Sequence, residues 1–187
     1  EPESEDGEGG GDLAFTPTVQ VGDGDVITGD GFTFEALHTP GHISNHLCFT
    51  LEEEQTLFTG DHVMGWSTTV IPAPDGNLSD YLANLQRLLD RPEQLYRPTH
   101  GPAITDPHHW VADLIAHRVE RERQITAALA TGPRTIASLV SELYAHVDEE
   151  LHRAAGGSVY AHLLDLARNG RADADPRPDP EAEWRLA

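Results

Sequence analysis

Residues 38–42 read His-Thr-Pro-Gly-His, and they are the most informative stretch of this 187-residue chain. The Pro-Gly pair within it favours a tight turn. A run typical of a strand, 32–36, precedes the turn, and an apolar strand, 46–51, follows it. The sequence therefore predicts that His42 is held rigidly at one end of a sheet.

Two further segments end a short apolar strand in the same way. Residues 57–62 read Leu-Phe-Thr-Gly-Asp-His, and residues 96–102 read Tyr-Arg-Pro-Thr-His-Gly-Pro. Asp61 and His100 each follow a strand, as His42 does, so the three side chains can converge on one edge of a sheet. Imidazole and carboxylate together suit zinc, iron or manganese.

The TPGH, TGD and THGP segments, in this order and spacing, resemble those of the metallo-β-lactamase-fold hydrolases over roughly residues 19–102. The later part of the chain resembles a subgroup with a C-terminal winged-helix-like domain. That subgroup includes an endoribonuclease and is more distantly similar to glyoxalase II. The resemblance implies an α/β fold: the C-terminal half of a metallo-β-lactamase-like αββα sandwich, followed by a small helical winged-helix-like domain.

The same resemblance implies roles for individual residues. His42 would be a ligand of the first metal site, Asp61 would bridge two metals, and His100 would be a ligand of the second site. The expected cofactor is zinc, as two divalent cations in a complete site, with iron and manganese as alternatives. Thr39 and His46 would support the ligands from the adjoining turn and strand.

Residue His62 follows the bridging aspartate directly, which makes it a candidate for contact with the substrate. No catalytic residue can be assigned, because the HxHxDH motif that begins the family's site, and that supplies its water-orienting aspartate, is absent from this sequence. Three explanations are open: a fragment of a longer enzyme, half of a split enzyme, or a degenerate protein without catalysis. The start at Glu1 rather than at methionine favours the fragment.

The charge of the chain is strongly unbalanced. Its 32 acids face 12 bases, giving a net charge of −20, and every base is arginine. Such a chain repels phosphate backbones, so nucleic-acid binding is disfavoured, with RNA kept open only by the family resemblance. The acid excess suggests a halophilic protein.

A single cysteine excludes an internal disulfide and fits a cytoplasmic location. No apolar run is long enough for a membrane span.

The chain divides by composition into three parts. Residues 1–17 are predicted to be an acidic disordered linker, 18–106 the partial metallo-β-lactamase-like region, and 107–187 a linking helix with the winged-helix-like domain. The patterns predict short strands at 19–21, 26–27 and 32–36, separated by Gly-Asp turns, helices at 78–89, 107–130, 134–144 and 149–169, and a strand at 183–186. A break is expected at Gly156-Gly157 in the last helix, and the cluster Arg118, Arg121 and Arg123 is expected to face solvent.

The resemblance implies a metal-dependent hydrolase in which a metal-activated hydroxide attacks an ester, thioester or phosphodiester of a small-molecule substrate. The chain alone is expected to be inactive because its site is incomplete, and the helical domain is expected to serve packing, lidding of the site or homodimer formation. Two other classes of function compete. One is a non-catalytic interaction module that keeps the fold, and the other is a DNA-binding winged-helix regulator, which the acidity disfavours.

Overall fold

A five-stranded mixed sheet forms the first part of the molecule, which a computed structural model describes for Ala14 and residues 16–187. Its strands lie in chain order across the sheet. They are β1 (Val26–Gly29), β2 (Phe32–His38), β3 (Leu47–Leu51), β4 (Thr56–Gly60) and β5 (Leu95–Pro98). The first four are antiparallel to their neighbours, whereas β5 is parallel to β4. Helix α1 (Leu78–Leu88) lies in the crossover that this parallel pair requires.

This topology determines where the strand ends meet. Strands β2 and β4 run in the same direction because β3 is antiparallel to both, and β5 is parallel to β4. The carboxyl ends of β2, β4 and β5 therefore lie at one edge of the sheet, together with the start of β3. The turn that contains His42, and the residues Asp61 and His100, follow these three ends.

One face of the sheet packs against helices and the other is open among the described residues. Alternate strand residues such as Leu37, Cys48 and Leu57 are completely or almost completely buried against α1 and the next helix, α2 (Pro107–Leu129). The opposite face carries an apolar group of side chains that includes three phenylalanines in ring contact, Phe34, Phe49 and Phe58. Phe58 is 36% exposed.

The C-terminal part has its own core around Trp184, which is completely buried. Its elements after α2 are α3 (Ile136–Leu143), α4 (His152–Arg168) and the antiparallel pair β6 (Ala172–Asp175) and β7 (Glu183–Leu186). Asp106 caps α2 by accepting a hydrogen bond from the His109 N–H at 3.4 Å. None of the described helices is long and apolar enough to cross a bilayer.

Two local predictions differ from the structure. Helix α4 runs without a break through Gly156-Gly157, because Ala155 and Val159 bury its face and outweigh a cost of about 1 kcal/mol per glycine. The segment 19–21 forms no strand; Val19 is 72% exposed, and pairing starts beyond the Gly-Asp turn. Most of the predicted linker, residues 1–13 and 15, lies outside the described residues.

Candidate metal centre

Asp61 lies between the two histidines that the sequence proposes as ligands. His42 Nε2 is 3.8 Å from Asp61 Oδ2, and His100 Nε2 is 3.5 Å from Asp61 Oδ1. Each imidazole thus faces a different oxygen of the same carboxylate. Asp61 Oδ1 is itself shielded from solvent and has no hydrogen-bond partner among the described residues. The structure therefore brings the three predicted ligands together in the order His42, Asp61, His100.

The orientation of the His42 ring is fixed by a backbone acceptor. Its Nδ1 lies 2.6 Å from the Val70 carbonyl oxygen, to which it donates a hydrogen bond. The proton of a neutral ring is then on Nδ1, and the lone pair of Nε2 is directed toward the Asp61 carboxylate. A lone pair and a carboxylate oxygen that face each other without a proton between them attract a cation. A carbonyl behind the ring is also the support typical of a histidine that binds metal.

The donor set fits a divalent transition metal in kind but not in number. Imidazole nitrogen and carboxylate oxygen are both zinc ligands. Each of the two metal positions that Asp61 would bridge has only one histidine and one carboxylate oxygen, whereas a catalytic zinc has three protein ligands. Within residues 14 and 16–187, no group of three or more His, Cys, Asp or Glu side chains is arranged to hold a metal ion by itself.

His46 holds the backbone of Asp61 in place. Its Nε2 accepts a hydrogen bond from the Asp61 backbone N–H at 3.1 Å, so its Nδ1 carries the proton and donates to Thr39 Oγ1 at 2.8 Å. Thr39 in turn contacts Cys48 Sγ at 3.3 Å, and the thiol donates to the Thr59 carbonyl at 3.4 Å. Burial lowers the pKa of His46 to about 4 and raises that of Cys48 to about 12, so both side chains are neutral.

Two glycines make this close packing possible. Gly60 has φ +52°, and a Cβ atom there would lie 2.6 Å from His46 Nε2. Gly41, in the turn, has φ +143°, and its Cβ would lie 2.4 Å from the Tyr81 Cα of helix α1. The glycine of TPGH is thus needed where the turn meets α1, and the glycine of TGD where Asp61 meets His46.

His62, the candidate for contact with the substrate, lies in the core beneath the site. Its side chain is completely buried, and neither ring nitrogen has a hydrogen-bond partner among the described residues. It packs edge-on against Tyr81, with 5.0 Å between ring centroids, and burial lowers its pKa to about 3. The structure therefore gives no support to a contact between His62 and substrate, because the ring points into the core beneath the site.

The expectation that the arginine cluster faces solvent is wrong for Arg118. That side chain is 1% exposed, whereas Arg123 is largely exposed and pairs with Glu120 at 2.7 Å. A sequence signal existed, because position 118 continues the apolar face of α2 that is formed by Val111, Leu114 and Ile125. Arginine at an apolar helix position indicates a buried guanidinium with specific hydrogen-bond partners.

Two known protein families match this chain. The family described as the metallo-beta-lactamase superfamily matches residues 2–115, and the beta-lactamase associated winged helix domain matches residues 135–184. The chain belongs to the metallo-beta-lactamase superfamily. The predicted fold class, including the C-terminal winged helix, is confirmed.

Individual relatives agree with this assignment. An atrochrysone carboxyl ACP thioesterase of Aspergillus chevalieri is 38% identical over 141 residues, covering 71% of this chain and 44% of the relative. The lactamase-like protein aptB of Emericella nidulans is 29% identical over 172 residues, covering 87% of this chain and 54% of the relative. A beta-lactamase-like protein 2 homolog of Caenorhabditis elegans is 34% identical over 151 residues, covering 80% of this chain and 50% of the relative. The chain thus spans about half the length of the curated relatives that it matches.

Solved structures show the same fold. A metallo-beta-lactamase family protein from Thermus thermophilus has a TM-score of 0.76 at 27% identity and covers 92% of this chain and 55% of that one. A beta-lactamase domain protein from Burkholderia ambifaria has a TM-score of 0.79 at 23% identity, covering 94% and 55%. Both likenesses therefore cover nearly all of this chain.

Proposed function

We propose that this chain is the C-terminal part of a metal-dependent hydrolase that cleaves a thioester or a related ester of a small molecule. The observation that carries the proposal is the placement of Asp61 between His42 Nε2 and His100 Nε2, one imidazole facing each carboxylate oxygen. The thioester is favoured among the ester classes because similar fungal proteins are described as ACP thioesterases. Further ligands would come from residues outside those the structure describes.

In the proposed metal pair, three residues of this chain are the ligands: His42, Asp61 and His100. When bound, a pair of divalent cations would lower the pKa of a coordinated water and polarise the substrate oxygen. His42 and His100 would each hold one cation through Nε2, and Asp61 would share its two oxygens between them. Zinc is the proposed metal, since imidazole and carboxylate suit it, with iron and manganese as alternatives.

An exposed apolar segment beside the ligands is a candidate substrate surface. Trp66 is 70% exposed and Val70 is 56% exposed. The Gly65 N–H donates to the His100 carbonyl at 2.9 Å, and the Val70 carbonyl accepts from His42, so this loop is hydrogen-bonded to both histidines. We propose that the apolar part of the substrate packs on Trp66 and Val70.

A non-catalytic interaction module is the competing function, and the absence of HxHxDH from this sequence favours it. The two are separated by reading the gene upstream of Glu1. An upstream HxHxDH motif predicts that the longer protein, loaded with zinc, hydrolyses an acyl-N-acetylcysteamine thioester. A start codon immediately before Glu1, with no partner chain that carries the motif, contradicts the hydrolase.

The assay has a matched control within the chain. Asp61→Asn is expected to lower hydrolysis by at least a hundredfold, because the shared carboxylate is lost. Asp113→Asn is expected to leave hydrolysis unchanged, since Asp113 also pairs with a histidine, His109 at 3.4 Å, but on the exposed surface of α2. Equal losses in the two variants would contradict the assignment of the site.

A further inference from the structure

The loop segment Thr69–Val70 is hydrogen-bonded to two proposed metal ligands. The Thr69 hydroxyl donates to the Asp61 backbone carbonyl, and the Val70 carbonyl accepts the Nδ1–H of His42 at 2.6 Å. Thr69 is 2% exposed, so its hydroxyl has no competing contact with bulk water. The position of this segment therefore sets both the backbone of Asp61 and the ring orientation of His42.

Arg118 of helix α2 joins this segment to the winged-helix-like domain. One terminal nitrogen, Nη2, donates to the Thr69 carbonyl, and the other, Nη1, donates to Ser158 Oγ of helix α4 at 3.0 Å. The guanidinium also lies over the Tyr81 ring, 5.6 Å from its centroid. A continuous chain of hydrogen bonds thus runs from Ser158 through Arg118 to Thr69 and from there to Asp61.

The environment of Arg118 argues against a role in stability alone. Within the described residues no carboxylate forms an ion pair with it, although it is almost fully buried. Burial of an unpaired charge is unfavourable, and apolar side chains of similar size often replace buried charged groups without loss of stability. What methionine or lysine cannot reproduce is the planar fork that donates in two directions at once.

We propose that Arg118 is a positioning residue that couples helix α4 of the winged-helix-like domain to the metal ligands His42 and Asp61 through Thr69–Val70. The inference rests on the proposed function for its metal readout. Arg118 touches neither ligand directly, and it acts through the Thr69 carbonyl. The winged-helix-like domain then contributes to the geometry of the metal centre through Arg118 of helix α2.

The first test measures zinc affinity of the 187-residue chain by competition with a chromophoric chelator. Arg118→Met and Arg118→Lys are each expected to weaken zinc binding about tenfold, as for other groups that orient metal ligands. Arg121→Met is the matched control and is expected to change it less than twofold. Arg121 lies on the same helix but stacks on Tyr144, 3.9 Å from the ring centroid, and donates to the Leu143 carbonyl at 3.3 Å.

A double variant distinguishes positioning from general damage. Thr69→Val keeps the carbonyl that Arg118 holds but removes the hydroxyl that reaches Asp61. If both residues act through one segment, Arg118→Met combined with Thr69→Val weakens zinc binding by much less than the product of the single effects. Multiplying effects, or an equal loss in Arg121→Met, would overturn the proposal. Ser158→Ala serves as the milder variant if Arg118→Met fails to fold.

A metal-free measurement keeps the inference testable when zinc binding itself fails. The ¹⁵N shifts of the His42 ring, assigned with His42→Gln, report which nitrogen carries the proton. The unsubstituted chain is expected to show the Nδ1–H form, and Arg118→Lys or Ser158→Ala a mixture of both forms, with Arg121→Met unchanged. The proposed function is decided by the upstream motif and the thioester assay of the longer protein, whereas an unaltered His42 tautomer in the folded Arg118 variants contradicts the coupling.

Discussion

The backbone N–H of Asp61 donates to Nε2 of His46 at 3.1 Å, so the proposed bridging residue is held in place by a histidine that is not itself a proposed ligand. The bond requires a neutral His46 with its proton on Nδ1, where Thr39 accepts it. The turn before β3 and the end of β4 are thereby joined at the sheet edge. Several properties of the site depend on this contact.

Replacement of His46 is expected to weaken metal binding without removing a ligand. His46→Leu leaves the part-buried Asp61 N–H without its acceptor, whereas the Thr39 hydroxyl keeps its contact with Cys48 Sγ. One unsatisfied donor costs about 1 kcal/mol of unfolding free energy or more. We also expect zinc affinity to fall about tenfold. Urea unfolding and chelator competition measure the two effects. Unchanged zinc affinity in a folded His46→Leu chain would show that the contact does not position Asp61.

Gly60 and Gly170 form a matched pair that separates backbone strain from steric contact. Their φ angles are +52° and +66°, but only Gly60 has an atom within 4 Å of an added Cβ, namely His46 Nε2. Gly170→Ala is expected to lower the unfolding free energy by about 1 kcal/mol from the left-handed backbone alone. Gly60→Ala is expected to cost clearly more and to weaken zinc binding as well. Equal costs in thermal or urea unfolding would contradict the predicted clash.

Protonation of His162 is expected to make stability depend on pH. The ring is completely buried in α4, and burial, with a smaller contribution from Arg118, Arg121 and His117, lowers its pKa to about 3. Since the unfolded chain binds this proton near pH 6.5, stability is fully present above that pH and is lost as the pH falls toward 3. The loss from this group between pH 7 and pH 5 is about 2 kcal/mol.

Urea unfolding of His162→Leu at both pH values measures that contribution. Between pH 7 and pH 5, the unfolding free energy of His162→Leu should fall by about 2 kcal/mol less than that of His109→Gln. The His109 side chain is 73% exposed and serves as the control for removal of a histidine that is not buried. Parallel pH dependences in the two variants would contradict a neutral, buried His162.

Salt is expected to stabilise the chain. The net charge is −20, so the acidic side chains repel one another in the folded chain. Molar salt reduces the Debye length to about 3 Å and so screens this repulsion. The unfolding temperature should therefore rise strongly between dilute buffer and molar KCl. Equal unfolding temperatures in the two solutions would remove the basis for a halophilic origin.

The elements near the candidate site could be predicted because each is specified locally. The strand ends before His42, Asp61 and His100 follow from apolar runs that stop at Pro-Gly, Gly-Asp and Pro-Thr. The start of α2 follows from Asp106-Pro107, and α1 from the spacing of its leucines. The convergence of three ends on one edge follows from the directions of β2, β4 and β5, which short strands and a crossover helix favour.

Other features depend on tertiary contacts that the local sequence does not specify. The adjacent charges of Glu120 and Glu122 favour an exposed position for Arg118. Its helical spacing, in contrast, places it on the apolar face of α2. Position 62 follows the proposed metal ligand Asp61 in the chain, but the turn after β4 directs its ring into the core. Thr69 was missed because it lies in a loop without a recognisable motif, and only the folded chain brings it to Asp61.

Zinc anomalous scattering from crystals of the zinc-loaded longer protein, which includes the upstream ligands, shows whether His42, Asp61 and His100 share a metal pair. We expect anomalous peaks about 2.0–2.2 Å from the Asp61 carboxylate oxygens and from the Nε2 atoms of His42 and His100. Zinc found instead at surface groups such as His109 and Asp113, with no peak at Asp61, would contradict it.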